Sequence, residues 1–142
     1  MRLFYSLILG FLLMPVFGVG QIYDPVDWSF SKKQISENTY ELTFIADIEP
    51  GWALYSNDIY NNGVDCEVEI CPIPVSFEFN KNNEAERYFS LLGNIVEVDE
   101  NKQVSQDPIF LMEVTKFIKR ATFKQIIELE AENANVSGYL TF

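Results

Sequence analysis

Cys66 and Cys71 are the two cysteines of this chain, and their spacing poses the first chemical question. Two thiols this close along a chain can staple a loop, or can form a couple that exchanges with other thiols. In an extended strand their Cα atoms would stand about 16 Å apart and on opposite faces. A disulfide needs about 4.4–6.8 Å. Pairing therefore requires Glu67–Ile70 to turn back, although that stretch holds no Gly, Pro or Asn. Closing so small a ring stabilises by about 2 kcal/mol in the chain-entropy picture. Strain in the forced turn would make the bond easier to reduce. The pair is therefore read either as a staple or as an exchangeable redox couple.

Other chemistries find fewer residues to work with. The chain has no histidine. That removes Ser-His and Cys-His nucleophile pairs and every histidine-ligated zinc or copper site. Two cysteines cannot close a four-thiolate metal site. Glu67 with Glu69, and Glu128 with Glu130, would each share a strand face, the pattern of a solvated surface. A glycosidase needs its two carboxyls facing each other across a cleft. Asp58–Glu69 places Asp58, Asn62, Gly63 and Glu69 at the first, fifth, sixth and twelfth positions of a calcium loop. Tyr60 occupies a ligand position, however, and no helices flank the segment, so it reads as a polar loop. Asn135-Val136-Ser137 fits a glycosylation acceptor, which matters only in a eukaryotic secretory pathway. Neither a metal nor a cofactor is expected.

These residues sit in a chain that opens like an exported one. Met1-Arg2 is a short positive start, Leu3–Val19 is almost wholly apolar, and Gly18 and Gly20 suit cleavage before Gln21. The run is short for a span of about 20 residues. Pro15 and Gly18 favour removal over anchoring, so no stable membrane insertion is expected after cleavage. Residues 1–20 are thus read as a signal peptide and 21–142 as one domain with one core. The net charge is −11, and it becomes one unit more negative when Arg2 leaves. Nucleic acid is excluded as a partner by repulsion. With 12 Phe, 7 Tyr and 2 Trp, the chain can build a core and is not a disordered one. The expected location is periplasmic or secreted.

The elements that must position the candidate residues repeat with period two. In Thr39–Ile48, Tyr40, Leu42, Phe44, Ala46 and Ile48 share a face, as a half-buried strand requires. Val26–Phe30, Val75–Phe79, Ala121–Ile126 and Val136–Phe142 alternate likewise. Glu128–Asn135 has helical composition but is too short to stand alone. Ser36-Glu37-Asn38, Glu49-Pro50-Gly51, Asn61-Asn62-Gly63, Lys81-Asn82-Asn83 and Glu132-Asn133 punctuate the runs. The expected fold is all-β, an immunoglobulin-like β-sandwich. Ser56–Pro72 is the longest irregular stretch, and a loop of that length in a compact domain is often functional.

Four ordered stretches carry a resemblance: Val26–Phe30, Gly51–Ser56, Pro72–Phe79, and Asp107–Phe110 continuing through Glu113, Phe117 and Ala121–Phe123. From Val26 to Phe142 the chain resembles the amino-terminal periplasmic domain of the bacterial thiol:disulfide interchange protein DsbD. The resemblance implies an immunoglobulin-like sandwich in the periplasm. It also implies passage of reducing equivalents to periplasmic proteins through one cysteine pair shielded by an aromatic cap loop. Asp107–Phe110 looks like that cap loop, with Trp52–Tyr55 beside it. The family's two redox cysteines follow the strand matched by Ser137–Phe142, where this sequence ends, so Cys66 and Cys71 do not correspond to them.

The expectation is an accessory module that holds a periplasmic protein partner, itself of the redox class, near Trp52, Tyr55, Asp107 and Phe110. The alternative is a thiol:disulfide exchange protein that uses Cys66 and Cys71. A third reading, sugar binding through aromatics, needs an exposed aromatic platform.

Overall fold

The computed structural model of the protein describes residues 23–59, 71–80, 88–98, 100–131 and 134–142. Every regular element among them is a strand: β1 (Val26–Gln34), β2 (Thr39–Ile48), β3 (Leu54–Tyr55), β4 (Ser76–Phe79), β5 (Phe89–Val98), β6 (Lys102–Asp107), β7 (Met112–Phe117), β8 (Arg120–Leu129) and β9 (Gly138–Thr141). The strand expected over Thr39–Ile48 is β2 with those bounds. Glu128–Asn135 forms no helix in its described residues, because β8 runs on to Leu129. The signal segment, Cys66, the body of the calcium-like loop and three of the expected turns lie outside the described residues.

Four strands form the first sheet, in the order β1-β2-β8-β5, all antiparallel. Residues opposite each other in an antiparallel pair share a face. One inner row is therefore Trp28, Ala46 and Ala121, and the next is Phe30, Phe44 and Phe123. The two alanines leave room for the Trp28 indole beside them. The edge strand β5 breaks register between Leu92 and Val96, and Gly93 there has φ 75°. Such a bulge blunts a sheet edge.

The second layer is built from two smaller sheets, β3-β7-β6 and the ribbon β4-β9. One backbone bond, Val75 N–H to the Tyr55 carbonyl at 3.0 Å, carries the layer from one to the other. The layers meet in a core of Val26, Ala46, Ile48, Ala121 and Phe123 against Leu54, Val75 and Phe117. Rings interlock across it: Phe77 lies 5.1 Å and Phe117 5.6 Å from Phe123, and Phe44 lies 4.9 Å from Phe77. The architecture is all-β and sandwich-like.

One polar knot is buried at the β5–β6 end. The Glu97 side chain is 3% exposed. Its Oε2 accepts from Ser56 Oγ at 2.7 Å and lies 2.9 Å from Lys102 Nζ, and its Oε1 accepts the Asn57 amide at 2.7 Å. Ser56 is fully buried, and its Oγ also accepts the Asp58 amide at 3.1 Å. A carboxylate this far from water persists only when paired and hydrogen-bonded.

Candidate functional site

The outer face of the second layer gathers most of the candidate residues. Strand alternation sends Phe117 inward and Met112, Val114 and Lys116 outward. Tyr55 pairs with Lys116 and Asp107 with Met112, which puts Tyr55 and Asp107 on that same outer face. Ile59, Met112 and Val114 form a buried apolar cluster there, with Tyr55 and Phe110 packed against it. The Tyr55 and Phe110 rings meet edge to face at 5.8 Å.

Asp107 is the hub of this cluster. It is only 4% exposed. Its Oδ1 accepts the amides of Ile109 at 2.9 Å and Phe110 at 3.3 Å, the arrangement by which an Asp closes a turn on itself. Its Oδ2 accepts the Tyr55 hydroxyl at 3.3 Å and lies 3.6 Å from Lys116 Nζ. Burial pushes the Asp107 carboxyl up, but the two amides, the Lys116 ammonium and the Tyr55 hydroxyl outweigh it and hold it below the ordinary carboxylate range. Burial, and then the Asp107 charge, push the Tyr55 hydroxyl up. Both groups are thus moved away from neutral pH, where a general acid or base must titrate. The arrangement is a pin, not a catalytic pair.

The pin fixes the tip of the β6–β7 hairpin. Ile109 is 75% and Leu111 73% exposed, so two large aliphatic side chains project into solvent from a turn anchored beneath them. Leu111 holds φ 55°, in the left-handed region that a side-chain-bearing residue enters at a cost of roughly 1–2 kcal/mol. Turn chemistry would place Gly or Asn there. Leu111→Gly is therefore expected to stabilise the protein by about 1 kcal/mol, read as a raised urea midpoint with unchanged slope.

Trp52 stands apart from this cluster. It follows the Pro50-Gly51 turn, donates its amide to the Glu49 carbonyl at 3.1 Å, is half exposed, and packs on Tyr23 at 5.9 Å. Tyr23 in turn donates its hydroxyl to Glu49. Cys71 is disulfide-bonded and exposed, and the sequence's one other cysteine is Cys66. Pro72 beside it is buried, and four residues on from Cys71 is Val75, whose amide bonds the Tyr55 carbonyl. Glu128 and Glu130 are both exposed. Among the described residues no group of three His, Cys, Asp or Glu side chains could hold a metal ion.

Lys116, Leu111 and Ile59 were not singled out by sequence reasoning, and Ile109 entered it only as part of the Asp107–Phe110 stretch. The run Pro108-Ile109-Phe110-Leu111, apolar inside a turn, is the signal that points to them.

The Asp107 pin has a measurable pH signature. A carboxyl lowered by folding gives stability that is fully present above its unfolded value of about 3.9 and is lost as pH falls through the lower folded value. Asp107→Asn is expected to flatten that acid-side slope in urea titrations between about pH 7 and about pH 3. The slope does not vanish, because the hydrogen bond from Arg120 holds Asp47 low as well. No family model, curated protein or solved structure matches the chain.

Proposed function

We propose that this chain is a periplasmic, immunoglobulin-like domain of the kind found at the amino terminus of DsbD, acting as an accessory module that holds a protein partner. One observation carries the reading. A hairpin tip pinned by Asp107 to Tyr55 keeps Ile109 and Leu111 in solvent, with Leu111 in a costly backbone conformation. Costly conformations at an exposed position concentrate where a surface is used. Large apolar side chains on a rigid support are what an interface core requires. In this reading Asp107–Phe110 is the counterpart of the family's cap loop. The partner is a periplasmic protein of the redox class with an apolar pocket for the tip.

A photo-crosslinking residue placed at Ile109, in the full chain expressed in a bacterial periplasm, tests this. The expected result is one discrete protein adduct that Leu111→Asp abolishes. The same crosslinker at Lys33, on the exposed part of β1, should give none. Equal labelling from both positions, or none from Ile109, overturns the reading.

The exposure of Cys71 supports a second reading, thiol:disulfide exchange through Cys66 and Cys71. Titration against glutathione buffers, with alkylation and mass measurement, separates the two. Reversible exchange near about −200 mV that Cys66→Ser abolishes would establish an exchange protein. A pair still oxidised below about −300 mV is a staple.

A further inference from the structure

A second surface shares no residue with the Asp107 pin. Along β1 the inner face carries Val26 and Trp28 into the core and then continues through Phe30 and Lys32. The register places Phe30 opposite Phe44 and Lys32 opposite Leu42. Phe44 is covered by the ribbon, with Phe77 at 4.9 Å and Phe79 at 6.4 Å. The cover reaches β1 at Trp28, 6.2 Å from Phe77, but stops short of Phe30. Phe30 touches Phe44 at 5.8 Å but is 64% exposed, although it lies on the same face as Trp28. Between this half of the first sheet and the β4–β9 ribbon is an open cavity of about 690 Å³.

Its wall is chemically asymmetric. Aromatic and aliphatic side chains line it, Phe30, Leu42, Phe44, Phe79 and Leu140 among them, and among the described residues Lys32 is the one basic residue on it. Among the described residues Glu78 is its one acidic residue, and as the residue between Phe77 and Phe79 it points to the other face of the ribbon. Lys32 makes no ion pair among the described residues. An unpaired lysine beside apolar surface, in a chain of net charge −11, is a local reversal of sign. The volume is that of a small-molecule site, typically about 300–1,000 Å³, mostly apolar with a few placed polar groups.

We infer that this cavity binds a single-chain amphiphile with an anionic head. The tail lies over Phe30, Phe44 and Phe79, and the head meets the Lys32 ammonium. Charge complementarity selects this occupant. A neutral apolar ligand would leave the ammonium unused, and a cationic one would be repelled.

Calorimetry of the mature domain with dodecanoate, and with neutral monododecanoylglycerol, tests this below the micelle threshold of each probe. Saturable binding of dodecanoate is expected. Lys32→Glu should weaken it about tenfold or more and leave the neutral probe unchanged, while Phe30→Ser should weaken both about tenfold. Both residues are exposed, and an unchanged urea midpoint verifies that each variant is folded. Absence of saturable dodecanoate binding overturns the proposal, as does a Lys32→Glu variant that binds dodecanoate like the parent. A dimer that Phe30→Ser dissolves, in a protein that binds neither probe, would assign the face to a second copy and overturn it equally.

Discussion

Glu97→Ala is expected to destabilise the protein by about 3–5 kcal/mol, the range for removing one partner of a buried charge pair. The loss is large because Glu97 serves three donors from two segments: Lys102 Nζ, Ser56 Oγ and the Asn57 amide. Deleting it takes the carboxylate away from Lys102 and leaves the fully buried Ser56 hydroxyl without its acceptor. Each orphaned polar group costs about 1–3 kcal/mol, more when charged. Urea unfolding reads the effect as a lower midpoint with unchanged slope. Glu97→Gln keeps an acceptor but not the charge and should fall between alanine and the parent. Replacing both charged partners, Glu97→Leu with Lys102→Met, should recover only the charge-pair part of the loss, because the Ser56 hydroxyl and the Asn57 amide still lack an acceptor. A loss below about 1 kcal/mol for the alanine variant would mean that water, not the protein, satisfies these donors.

Gly138→Ala carries the second large effect, about 1–3 kcal/mol or more, by overpacking. A Cβ built at Gly138 falls inside the contact radius of the Glu78 carbonyl oxygen and close to the Phe79 Cα. Both obstacles are backbone, and the backbone is held by the pairings Glu78 with Tyr139 and Phe79 with Gly138. Relief requires the ribbon to splay. The damage should reach Phe142, whose ring packs 5.5 Å from Trp28, and so should appear in near-ultraviolet circular dichroism as well as in the midpoint. The adjacent Tyr139→Ala is the control. That side chain is 69% exposed, and its loss should stay within about 0.5 kcal/mol.

Where a strand has one wet and one dry face, its sequence announces it. Tyr40, Leu42, Phe44, Ala46 and Ile48 alternate without a break, and β2 has the bounds that alternation gives. The strands that escaped reading fail this condition for separate reasons. In β5 the bulge at Gly93 resets the phase between Leu92 and Val96. In β6, Val104 is the sole apolar residue. In β7, Met112 and Val114 face Ile59 while Phe117 faces the core, so buried apolar residues fall on both sides and the period dissolves. The site divides in the same way. Tyr55, Asp107 and Phe110 converge, a closeness that the resemblance implied and no pattern in the chain encodes, whereas the Pro50-Gly51 turn, with Gly51 at φ 90°, sends Trp52 to Tyr23 instead. Lys116 was invisible because its role depends on the β3–β7 register, which no local pattern encodes.

The bond from Val75 N–H to the Tyr55 carbonyl gives the molecule two grades of permanence. β2 and β8 share an unbroken ladder of nine residue pairs, while among the described residues the ribbon is joined to its neighbouring sheet by this one backbone hydrogen bond and to itself by four residue pairs and the Asn80–Ser137 bonds. Cooperative units of unequal strength open at unequal free energies. The amides of β4 and β9 should therefore surrender to deuterium in partial openings that leave the β2–β8 ladder intact. The roof over Phe44 is in this sense a detachable part: a lodger beneath it would be felt first as slower exchange in the ribbon, before any change in the melting of the whole.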